Sequence, residues 1–539
     1  MWKSAAVLLS AGLVACGAPI PVEAPRATRG YVLISLDTLR ADHLGCYGYA
    51  RPTSPFLDRL AERAVLFENA IVQYPSTLTS HMSIFTGLYP AEHGVYPPDS
   101  VLAPAIETLP EAFRRAGYRT AGFTEGGFVH GRFGFRRGFD VFAARDRRDS
   151  DEVERTFARG RRFLRGLEGG ERFFLFIHTY AVHAPYDPPE EYRRLFWPGE
   201  PPPGAFPPTG PELSRVNALG ETLPDAVRDY FKALYDAEIR RLDDVLRRFF
   251  AELDELGLAG DTTVVVTSDH GEEFGEHGKL NHTQLYREVL RAPLLIVHPD
   301  LAAGRRHAPP VESVDLAPTL YELARVKPRG APSGASLAPL LAGPSLAAAA
   351  PAAGDAYAEV AGGSRSLFSF ADGALSHLLV IEPPPRQWAT RRLRLAADGG
   401  RLAFEVRSFA EERALEVWDD GVLVTAAAIG PRWSRLTLEL PPGRRTLELT
   451  SPDCTLSDAA PAVVCLSFQV RGVPLARAEL YDVGADPAER HDVVGERPEL
   501  ARSLYARLTG YASRPAAQRR VEELDEKLRS ELEALGYLQ

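Results

Sequence analysis

The sequence predicts an α/β fold in which helices cover both faces of a mainly parallel β-sheet, with a small β-sandwich inserted near the C-terminus. Three observations support this prediction. Short apolar segments rich in β-branched residues alternate with longer helical segments. Polar residues follow several of these strands at their carboxyl ends. After about residue 383 the pattern changes to short alternating segments separated by turn residues.

Predicted strands and helices alternate through the first half of the chain. The strands are Tyr31–Leu36, Tyr118–Thr124, Arg172–Ile177 and Thr262–Thr267, and the helices are Pro55–Val65, Leu109–Ala116 and Leu234–Leu256. Because the strands are apolar throughout, we expect both faces of the sheet to be buried, as in mainly parallel sheets.

Polar side chains follow three of the predicted strands. Asp37 comes directly after the first strand, His178 after the third, and Asp269 and His270 shortly after the fourth. Ligands of open parallel sheets bind beyond the carboxyl ends of the strands, so these side chains should converge at one edge. Convergence of carboxylates and imidazoles is what a metal site requires.

Thr77 is predicted to lie at the N-terminus of a helix. The preceding Tyr74-Pro75-Ser76 breaks the chain, Leu78–Phe85 has helical character, and Thr86-Gly87 ends it. The N–H groups and dipole at a helix N-terminus would stabilise negative charge beside the Thr77 hydroxyl. The alternative is an ordinary N-cap, which is the commoner role of a Thr before a single helix.

The C-terminal part is predicted to contain a separate β-rich unit. Alternating segments between Gly, Pro and Asp turns indicate a β-sandwich over residues 383–474. The preceding segment, Ala331–Gly354, has the composition of a loop or linker. The segment Pro515–Leu538 is predicted to be a docked amphipathic helix. Its apolar face contains Val521, Leu524, Leu528 and Leu532.

Composition and charge narrow the class of protein. The chain of 539 residues has 45% hydrophobic and 25% charged residues, which is typical of a globular protein with two or more domains. A net charge of -10 and a pI near 5.8, without an Arg/Lys-rich run, argue against nucleic-acid binding.

The first 16 residues resemble a bacterial lipoprotein signal peptide. Lys3 precedes an apolar stretch, Ala5–Val14, that is too short to span a bilayer and ends in small residues before Cys16. The resemblance implies that Cys16 is lipidated and that residues 17–28 form a tether. The protein would then be anchored to a membrane surface of the bacterial cell envelope, facing the periplasm or the exterior. An ordinary cleaved signal peptide is the alternative.

The remaining cysteines give no pattern for a zinc site. In an oxidising envelope compartment, Cys454 and Cys465 are close enough in sequence to form a disulfide. Cys46 lies far away in sequence and has no obvious partner.

A series of ordered motifs resembles the sulfatase family of the alkaline phosphatase superfamily. The motifs are Leu36–Asp42 with Gly45–Gly48, Thr77–Pro90, His183–Tyr186, Ser268–Glu273 with Gly275–Gly278, Leu285–Leu294, and Glu479–Val483 with Asp486-Pro487. The resemblance covers roughly residues 29–380 and 476–510. It implies an alkaline-phosphatase-like catalytic domain over residues 29–382. The β-sandwich at 383–474 would be inserted after it, and residues 475–539 would form a C-terminal sulfatase-like segment with the final helix.

The resemblance also implies roles for individual residues. Asp37, Asp269 and His270 would bind one divalent metal ion together with the side-chain oxygen of Thr77. This donor set favours zinc or manganese, with calcium or magnesium as alternatives. His183 resembles the family histidine that protonates the leaving oxygen.

Further residues of these motifs are weaker candidates. We expect His81, His178 and His282 to contact substrate, or to bind a second metal ion if one is present. We expect Glu272, Glu273 and Glu276 to be solvated loop residues or supports for the metal ligands.

The sequence departs from the usual sulfatase pattern at the nucleophile. Sulfatases have Cys-x-Pro-Ser-Arg, whose Cys becomes formylglycine, whereas this chain has Thr77, Thr79 and His81 at the Cys, Pro and Arg positions. A Thr cannot become that aldehyde, and it lacks the second hydroxyl that expels sulfate. The set of an acid, a Thr and an Asp-His pair looks like the site of lipoteichoic acid synthases and phosphoethanolamine transferases of the same superfamily.

These patterns predict a metal-dependent sulfatase-family hydrolase of sulfate or phosphate esters, with phosphoryl chemistry somewhat favoured. Two alternatives remain open. One is a phosphoryl-group transferase acting on envelope glycans or lipids, and the other is a non-catalytic glycan-binding protein on a sulfatase scaffold. The expected substrate is a small-molecule or glycan ester, and the oligomeric state stays open.

Overall fold

The computed structural model describes residues 25–535, with some internal stretches excepted. The stretches outside the described residues are 145–151, 302–303, 342–353, 361–363, 372–373, 382–386, 390–391, 398–399, 409–412, 420–421, 430–431, 433, 441–444, 451–467 and 472–476.

The helices lie mainly in the first two thirds of the chain. They are α1 Pro55–Ala61, α2 Thr77–Thr86, α3 Pro90–His93, α4 Leu109–Arg115, α5 Glu152–Arg165, α6 Glu190–Phe196, α7 Gly210–Leu219, α8 Asp225–Glu255, α9 Arg287–Leu290, α10 Leu316–Ala324, α11 Ala338–Leu341, α12 Pro498–Ala512 and α13 Glu526–Ala534.

The strands fall into two groups. Those up to residue 312 are β1 Gly30–Leu36, β2 Val65–Ile71, β3 Arg119–Thr124, β4 Val141–Ala144, β5 Phe173–Thr179, β6 Thr262–Thr267, β7 Glu273–Phe274, β8 Leu280–Asn281, β9 Arg291–Val297, β10 Arg305–His307 and β11 Val311–Glu312.

The later strands are mostly antiparallel. They are β12 Gly354–Glu359, β13 Arg365–Ala371, β14 Ala374–Ile381, β15 Gln387–Ala389, β16 Arg392–Ala397, β17 Gly400–Ser408, β18 Arg413–Asp419, β19 Val422–Ile429, β20 Ser434–Leu440, β21 Arg445–Thr450, β22 Phe468–Arg471 and β23 Arg477–Asp482.

A mainly parallel sheet forms the centre of the molecule. Its order within the described residues is β10-β2-β9-β6-β1-β5-β3-β4, with β11 also paired to β2. Strand β9 is antiparallel to both of its neighbours, and the other pairs are parallel. The predicted α/β class with a mainly parallel sheet is therefore confirmed.

Alternate side chains of β1 bury the two faces of this sheet. Val32 and Ile34 belong to a core that also contains residues of the long helix α8. Tyr31 and Leu33 belong to the opposite core, which includes residues of α2, α4 and α10. Because apolar side chains leave both faces of a central strand, the strand reads as a continuous apolar run in the sequence.

Three small antiparallel sheets follow the central sheet. Strands β12, β13, β14 and β23 form one sheet, so the chain leaves this sheet after β14 and returns to it at β23. The intervening strands form two four-stranded sheets, β15-β22-β17-β20 and β16-β21-β18-β19. The extra antiparallel sheets agree with the predicted insertion, while its limits at 383 and 474 stay predictions.

Several predicted elements have different limits in the structure. The helix predicted at Pro55–Val65 ends at Ala61, because Val65 already begins the buried strand β2. Strand β5 includes His178, which was expected just beyond it. The helix predicted at Leu234–Leu256 begins nine residues earlier, at Asp225.

The C-terminal helix is much shorter than predicted. Residues 515–524 are not helical, and Val521 forms an isolated β-bridge with Ser100. Helix α13 begins only after Asp525. The Asp525 side chain accepts a hydrogen bond from Leu528 N and caps the helix. Val521 is 54% exposed, whereas Leu532 is fully buried, so only part of the expected apolar face is used.

Some predictions lie outside the described residues. These are the lipoprotein signal with Cys16, and the disulfide between Cys454 and Cys465. Among the residues that the structure does describe, the helices are all too short or too polar to cross a membrane.

Candidate metal centre and nucleophile

The candidate site lies at the carboxyl edge of the central sheet. Asp37 follows β1, and its N–H donates to the carbonyl of Thr179 at the end of β5 (3.0 Å). Asp269 and His270 follow β6, the other neighbour of β1. Parallel strands of this kind bring their carboxyl ends together, which explains why residues far apart in sequence meet here.

Thr77 is the first residue of α2, and Ser76 is its N-cap. The helix ends at Gly87, whose φ of 67° is left-handed, as the Thr86-Gly87 signal predicted. Every residue of α2 is buried, including the polar ones. The helix N-terminus therefore presents the Thr77 hydroxyl within the protein at the sheet edge.

The predicted metal ligands come together in the structure. Asp37, Asp269 and His270 each offer one ligand atom, and these atoms lie within 4.8 Å of one another. All three side chains are 0% exposed. The Oγ1 atom of Thr77 lies 3.3 Å from Nε2 of His270, so the candidate nucleophile adjoins the cluster.

The hydrogen bonding of His270 defines which of its nitrogens faces the cluster. Nδ1 donates to the Gly271 carbonyl (3.0 Å), so Nε2 carries the lone pair of the neutral ring. Burial lowers the pKa of His270 to about 4, which keeps the ring neutral near pH 7. Nε2 also lies 3.3 Å from Oδ2 of Asp269. The lone pair of His270 Nε2 therefore faces the carboxylate oxygen Oδ2 of Asp269, which is also an electron-pair donor.

This arrangement fits a divalent cation. Oδ2 of Asp269 has no hydrogen-bond donor among the described residues, although the carboxylate is fully buried. Burial of such a charge is costly unless a cation or donor compensates it. Carboxylate, imidazole and hydroxyl donors suit zinc or manganese.

His178 and His81 lie around the cluster and contact other protein groups. Nε2 of His178 lies 3.0 Å from Oδ2 of Asp37, which only accepts, so the imidazole donates to the carboxylate. Nδ1 of His81 donates to the Thr77 carbonyl (2.7 Å), and its Nε2 accepts from Ser35 Oγ (2.9 Å). These contacts orient Asp37 and Thr77, and the substrate contacts expected of both histidines stay predictions.

His183 and His282 extend the site away from the cluster. The ring centroid of His282 lies 4.3 Å from that of His270 and 5.3 Å from that of His183. Nδ1 of His183 donates to the carbonyl of Ala184 (2.7 Å), so proton exchange with a substrate would take place at Nε2. His282 is within hydrogen-bond distance of Glu272 Oε1 (3.1 Å).

The three glutamates of the 272–276 segment form hydrogen bonds or ion pairs with other residues of the protein. Glu272 and Glu273 are 0% and 1% exposed, which contradicts the part of the expectation that made them solvated. Glu272 orients His282, and Glu276 forms an ion pair with the buried Arg40 (2.8 Å). The loop is buried because Gly271 packs against the carbonyl of Glu288, which a Cβ atom would approach to 1.9 Å.

Tyr235 is a site residue that the sequence analysis missed. Its hydroxyl donates to the carbonyl of Thr38 (2.7 Å) and accepts from the N–H of Arg40 (2.8 Å). Tyr235 thus holds the loop after β1 from the middle of α8. No motif surrounds it in the sequence, where it reads as one apolar position of a helix.

Comparisons with known proteins identify relatives of this chain. The family model named Sulfatase matches residues 29–326. A multifunctional alkaline phosphatase superfamily protein, PehA of Trinickia caryophylli, is 31% identical over an alignment of 205 residues, and the match covers 33% of this chain and 39% of that protein. An arylsulfatase of Clostridium perfringens is 26% identical over an alignment of 373 residues, and the match covers 58% of this chain and 78% of the relative.

A solved structure shows the same fold. The phosphonate monoester hydrolase of Agrobacterium radiobacter superposes with a TM-score of 0.60 and 17% sequence identity. The superposition covers 93% of this chain and 99% of that protein. The two proteins therefore share a fold.

Proposed function

Because the chain belongs to the sulfatase family, we propose that it is a metal-dependent hydrolase of phosphate or sulfate esters in which Thr77 is the nucleophile. The observation that carries the proposal is the position of Thr77 Oγ1, 3.3 Å from His270 Nε2. The same nitrogen belongs to the cluster of Asp37, Asp269 and His270. A hydroxyl that serves only as a helix cap needs no such neighbours.

Sulfatase-family proteins use a divalent metal ion, and the Asp/His cluster of this chain is a possible site for one. Asp37, Asp269, His270 and the Thr77 oxygen would hold it. When bound, the ion would lower the pKa of the Thr77 hydroxyl and polarise the ester. His178 supports this site by donating to Asp37, and His81 supports it by fixing the Thr77 carbonyl.

Thr77 and His183 divide the bond-making and proton-transfer steps. Thr77 Oγ1 loses its hydroxyl proton to solvent and forms a bond to phosphorus or sulfur, and the bond from that atom to the ester oxygen breaks. His183, held through Nδ1 by the Ala184 carbonyl, gives its Nε2 proton to the departing alcohol. The N–H groups in the first turn of α2 face the negative charge that develops on the transferred group.

Release of the covalent ester favours phosphoryl over sulfuryl chemistry. Water attacks the phosphorus, the bond to Thr77 Oγ1 breaks, and the threonine regains its hydroxyl proton. A sulfate ester of threonine has no second hydroxyl on the same carbon, so it lacks the elimination that releases sulfate from formylglycine. We therefore propose a phosphate ester as the preferred substrate.

The cellular setting is a proposal based on the N-terminal sequence. A lipid anchor on Cys16 would hold the enzyme at a membrane surface of the bacterial envelope. Its substrate would then be a small-molecule or glycan ester that reaches this compartment.

The test is a panel of aryl substrates assayed with defined metal ions. We expect the wild type to hydrolyse at least one of an aryl sulfate, a phosphate monoester, a phosphodiester and a phosphonate monoester. Thr77→Val removes the nucleophilic oxygen without changing the shape of the side chain, so kcat/KM should fall by at least about 10³-fold. Quenched reactions of the wild type should contain a phosphorylated or sulfated Thr77 peptide in mass spectra.

Thr79→Val is the matched control. Thr79 belongs to the same buried helix, and its Oγ1 makes no hydrogen bond to the described residues. This variant should keep activity within about threefold of the wild type, because it removes a buried hydroxyl that has no hydrogen-bond partner among the described residues and keeps the shape of the side chain. Equal rates for the wild type and Thr77→Val would refute the nucleophile assignment.

A further inference from the structure

A small cavity lies next to His183, outside the cluster that holds Thr77. Its volume is about 250 Å³. The loop after β5 contributes His183 and Asp187 to its wall, and the long helix α8 contributes Glu238 and Arg241. Glu125 and Glu152 complete its polar lining. We refer to this cavity as the acidic pocket.

The described lining of the acidic pocket carries more negative than positive groups. Four carboxyl side chains and one guanidinium, that of Arg241, belong to this described lining. Two of the carboxylates have partners elsewhere, since Glu152 pairs with Arg155 (3.7 Å) and Glu125 accepts from Tyr180 N (2.8 Å). Glu238 is the informative member of the set because it is only 4% exposed. Its Oε2 has no hydrogen-bond partner among the described residues, and the nearest Arg241 nitrogen is 3.6 Å away.

The environment of Glu238 compensates its negative charge only in part. Burial and the negative charge of Asp187 raise the pKa of Glu238 to about 7, although the Arg241 guanidinium and the backbone N–H of Asp187 oppose this shift. A buried carboxylate of this kind gains from a cation that enters the pocket. The second lining acid, Asp187, is exposed and lines the same cavity.

The position of the acidic pocket fits the alcohol part of the substrate. Ring contacts run from His183 to His282 (5.3 Å) and from His282 to His270 (4.3 Å), whose Nε2 adjoins Thr77. His183 lines the pocket itself. If its Nε2 protonates the leaving oxygen, the remainder of the alcohol extends from that oxygen into the cavity.

We propose that the acidic pocket binds the positively charged end of a small alcohol, an ammonium or quaternary ammonium group, which leaves when the ester is cleaved. Glu238 and Asp187 are the residues that determine this specificity. The inference rests on the proposed function, because it assigns the pocket to the leaving group of the Thr77 reaction.

A pair of esters with the same shape tests the proposal. The phosphate or sulfate monoesters of choline and of 3,3-dimethylbutan-1-ol differ only by the positive charge. We expect the wild type to prefer the choline ester by about tenfold or more in kcat/KM, the size of one good ionic contact. In Glu238→Gln and in Asp187→Asn this preference should fall below about threefold.

Glu252→Gln is the control variant, since Glu252 is a buried glutamate of the same helix that pairs with Arg165 away from the pocket. It should keep the wild-type preference. If Glu238→Gln does not fold, Asp187→Asn, at an exposed position, still provides the comparison.

Titration calorimetry with choline chloride separates the pocket from the catalytic function. Choline should bind the wild type and bind at least about fivefold more weakly to Asp187→Asn. Equal turnover of the two esters without choline binding would overturn the pocket proposal and leave the hydrolase intact. Choline binding without turnover of any ester would overturn the proposed function instead.

Discussion

Thr38 shows how single residues fix the geometry of the site. It has a left-handed backbone, with φ of 56°, which is strained for a β-branched residue. Its N–H donates to Asp269 Oδ1 (3.3 Å), and its carbonyl accepts from the Tyr235 hydroxyl (2.7 Å). These contacts hold the loop after β1 against the loop after β6. The strained residue therefore sets the distance between Asp37 and Asp269.

His93 is a buried residue whose neutral form is needed for the fold. It is 2% exposed, its Nδ1 accepts from Val95 N, and its Nε2 donates to Ser83 Oγ, both at 3.1 Å. Burial lowers the pKa of His93 to about 3. The folded-state pKa of His93 is thus below its unfolded value. The stability that neutral His93 contributes is therefore fully present above the unfolded pKa, and it is lost as the pH falls from there towards the folded pKa.

We predict that this histidine makes the protein sensitive to mild acid. Between pH 6.5 and 5 it should lower the free energy of unfolding by about 2 kcal/mol, since one pH unit corresponds to about 1.4 kcal/mol. The measurement is denaturant unfolding at a series of pH values. His93→Gln keeps a donor and an acceptor without titrating, so its stability should depend less on pH.

His491→Gln is the control for this comparison. The His491 side chain is 72% exposed, and its one ion pair within the described part of the chain is with Glu496 at the surface. Its substitution should leave the pH dependence of unfolding unchanged. Identical pH slopes for the wild type and His93→Gln would contradict the prediction.

At the scale of elements, Glu489 joins the C-terminal segment to the loop that carries the site residues. It is 1% exposed and has a left-handed φ of 53°. Its Oε1 bonds to His377 Nδ1 (2.7 Å), and its Oε2 accepts from Arg287 N (2.9 Å). Its carbonyl accepts from His277 Nε2 (3.1 Å). The residue therefore ties β14 to the start of α9.

Glu489→Gln should weaken this connection. Gln has an acceptor oxygen at only one of the two positions and a donating NH2 group at the other, so either His377 Nδ1 or Arg287 N loses its acceptor. We expect the free energy of unfolding to fall by about 1–3 kcal/mol. Chemical denaturation measures this change.

Glu496→Gln is the matched control in the same segment. Its side chain is 66% exposed, and among the residues that the structure describes it pairs with His491 alone, so the expected change is below about 0.5 kcal/mol. Equal stability of Glu489→Gln and the wild type would show that the contact is dispensable.

Local patterns determined which elements could be predicted. The strands β1 and β6 were found almost to the residue because both are continuous apolar runs with a polar residue at the end. Strand β2 was not predicted, and its first residue, Val65, was assigned to the preceding helix. The strand forms by pairing with a distant strand, β9. Pairing with a partner over two hundred residues away leaves no periodic signal in either segment.

At the scale of the whole molecule, the inserted sheets are attached at one place. Strands β14 and β23 are antiparallel neighbours, and Ile381 lies opposite Arg477. Strands β15–β22 pair only among themselves in the described part of the chain. The two ends of the insertion therefore lie side by side, as in a β-hairpin.

We predict that the insertion can be replaced by a turn. Joining Ile381 to Arg477 through Asn-Gly, in place of residues 382–476, closes a two-residue hairpin. The shortened protein should fold and keep its kcat/KM on a small aryl ester within about threefold, because exposed loops tolerate such changes. Circular dichroism, thermal unfolding and the ester assay measure the outcome.

A second version with an eight-residue Gly/Ser connection controls for strain in the short turn. Loss of folding with both connections would show that the inserted sheets stabilise the catalytic part. Loss of folding with the short turn alone would place the fault in the turn geometry.

The sequence by itself determined the fold class, the ends of strands β1 and β6 and the order of the motifs, because these depend on residues that are neighbours along the chain. It brought Asp37, Thr77, Asp269 and His270 into one hypothesis. Only the tertiary structure decided that His270 Nε2 faces Thr77 and that Glu238 lines a cavity beside His183. Orientation and burial follow from packing between distant segments, and local sequence carries no record of that packing.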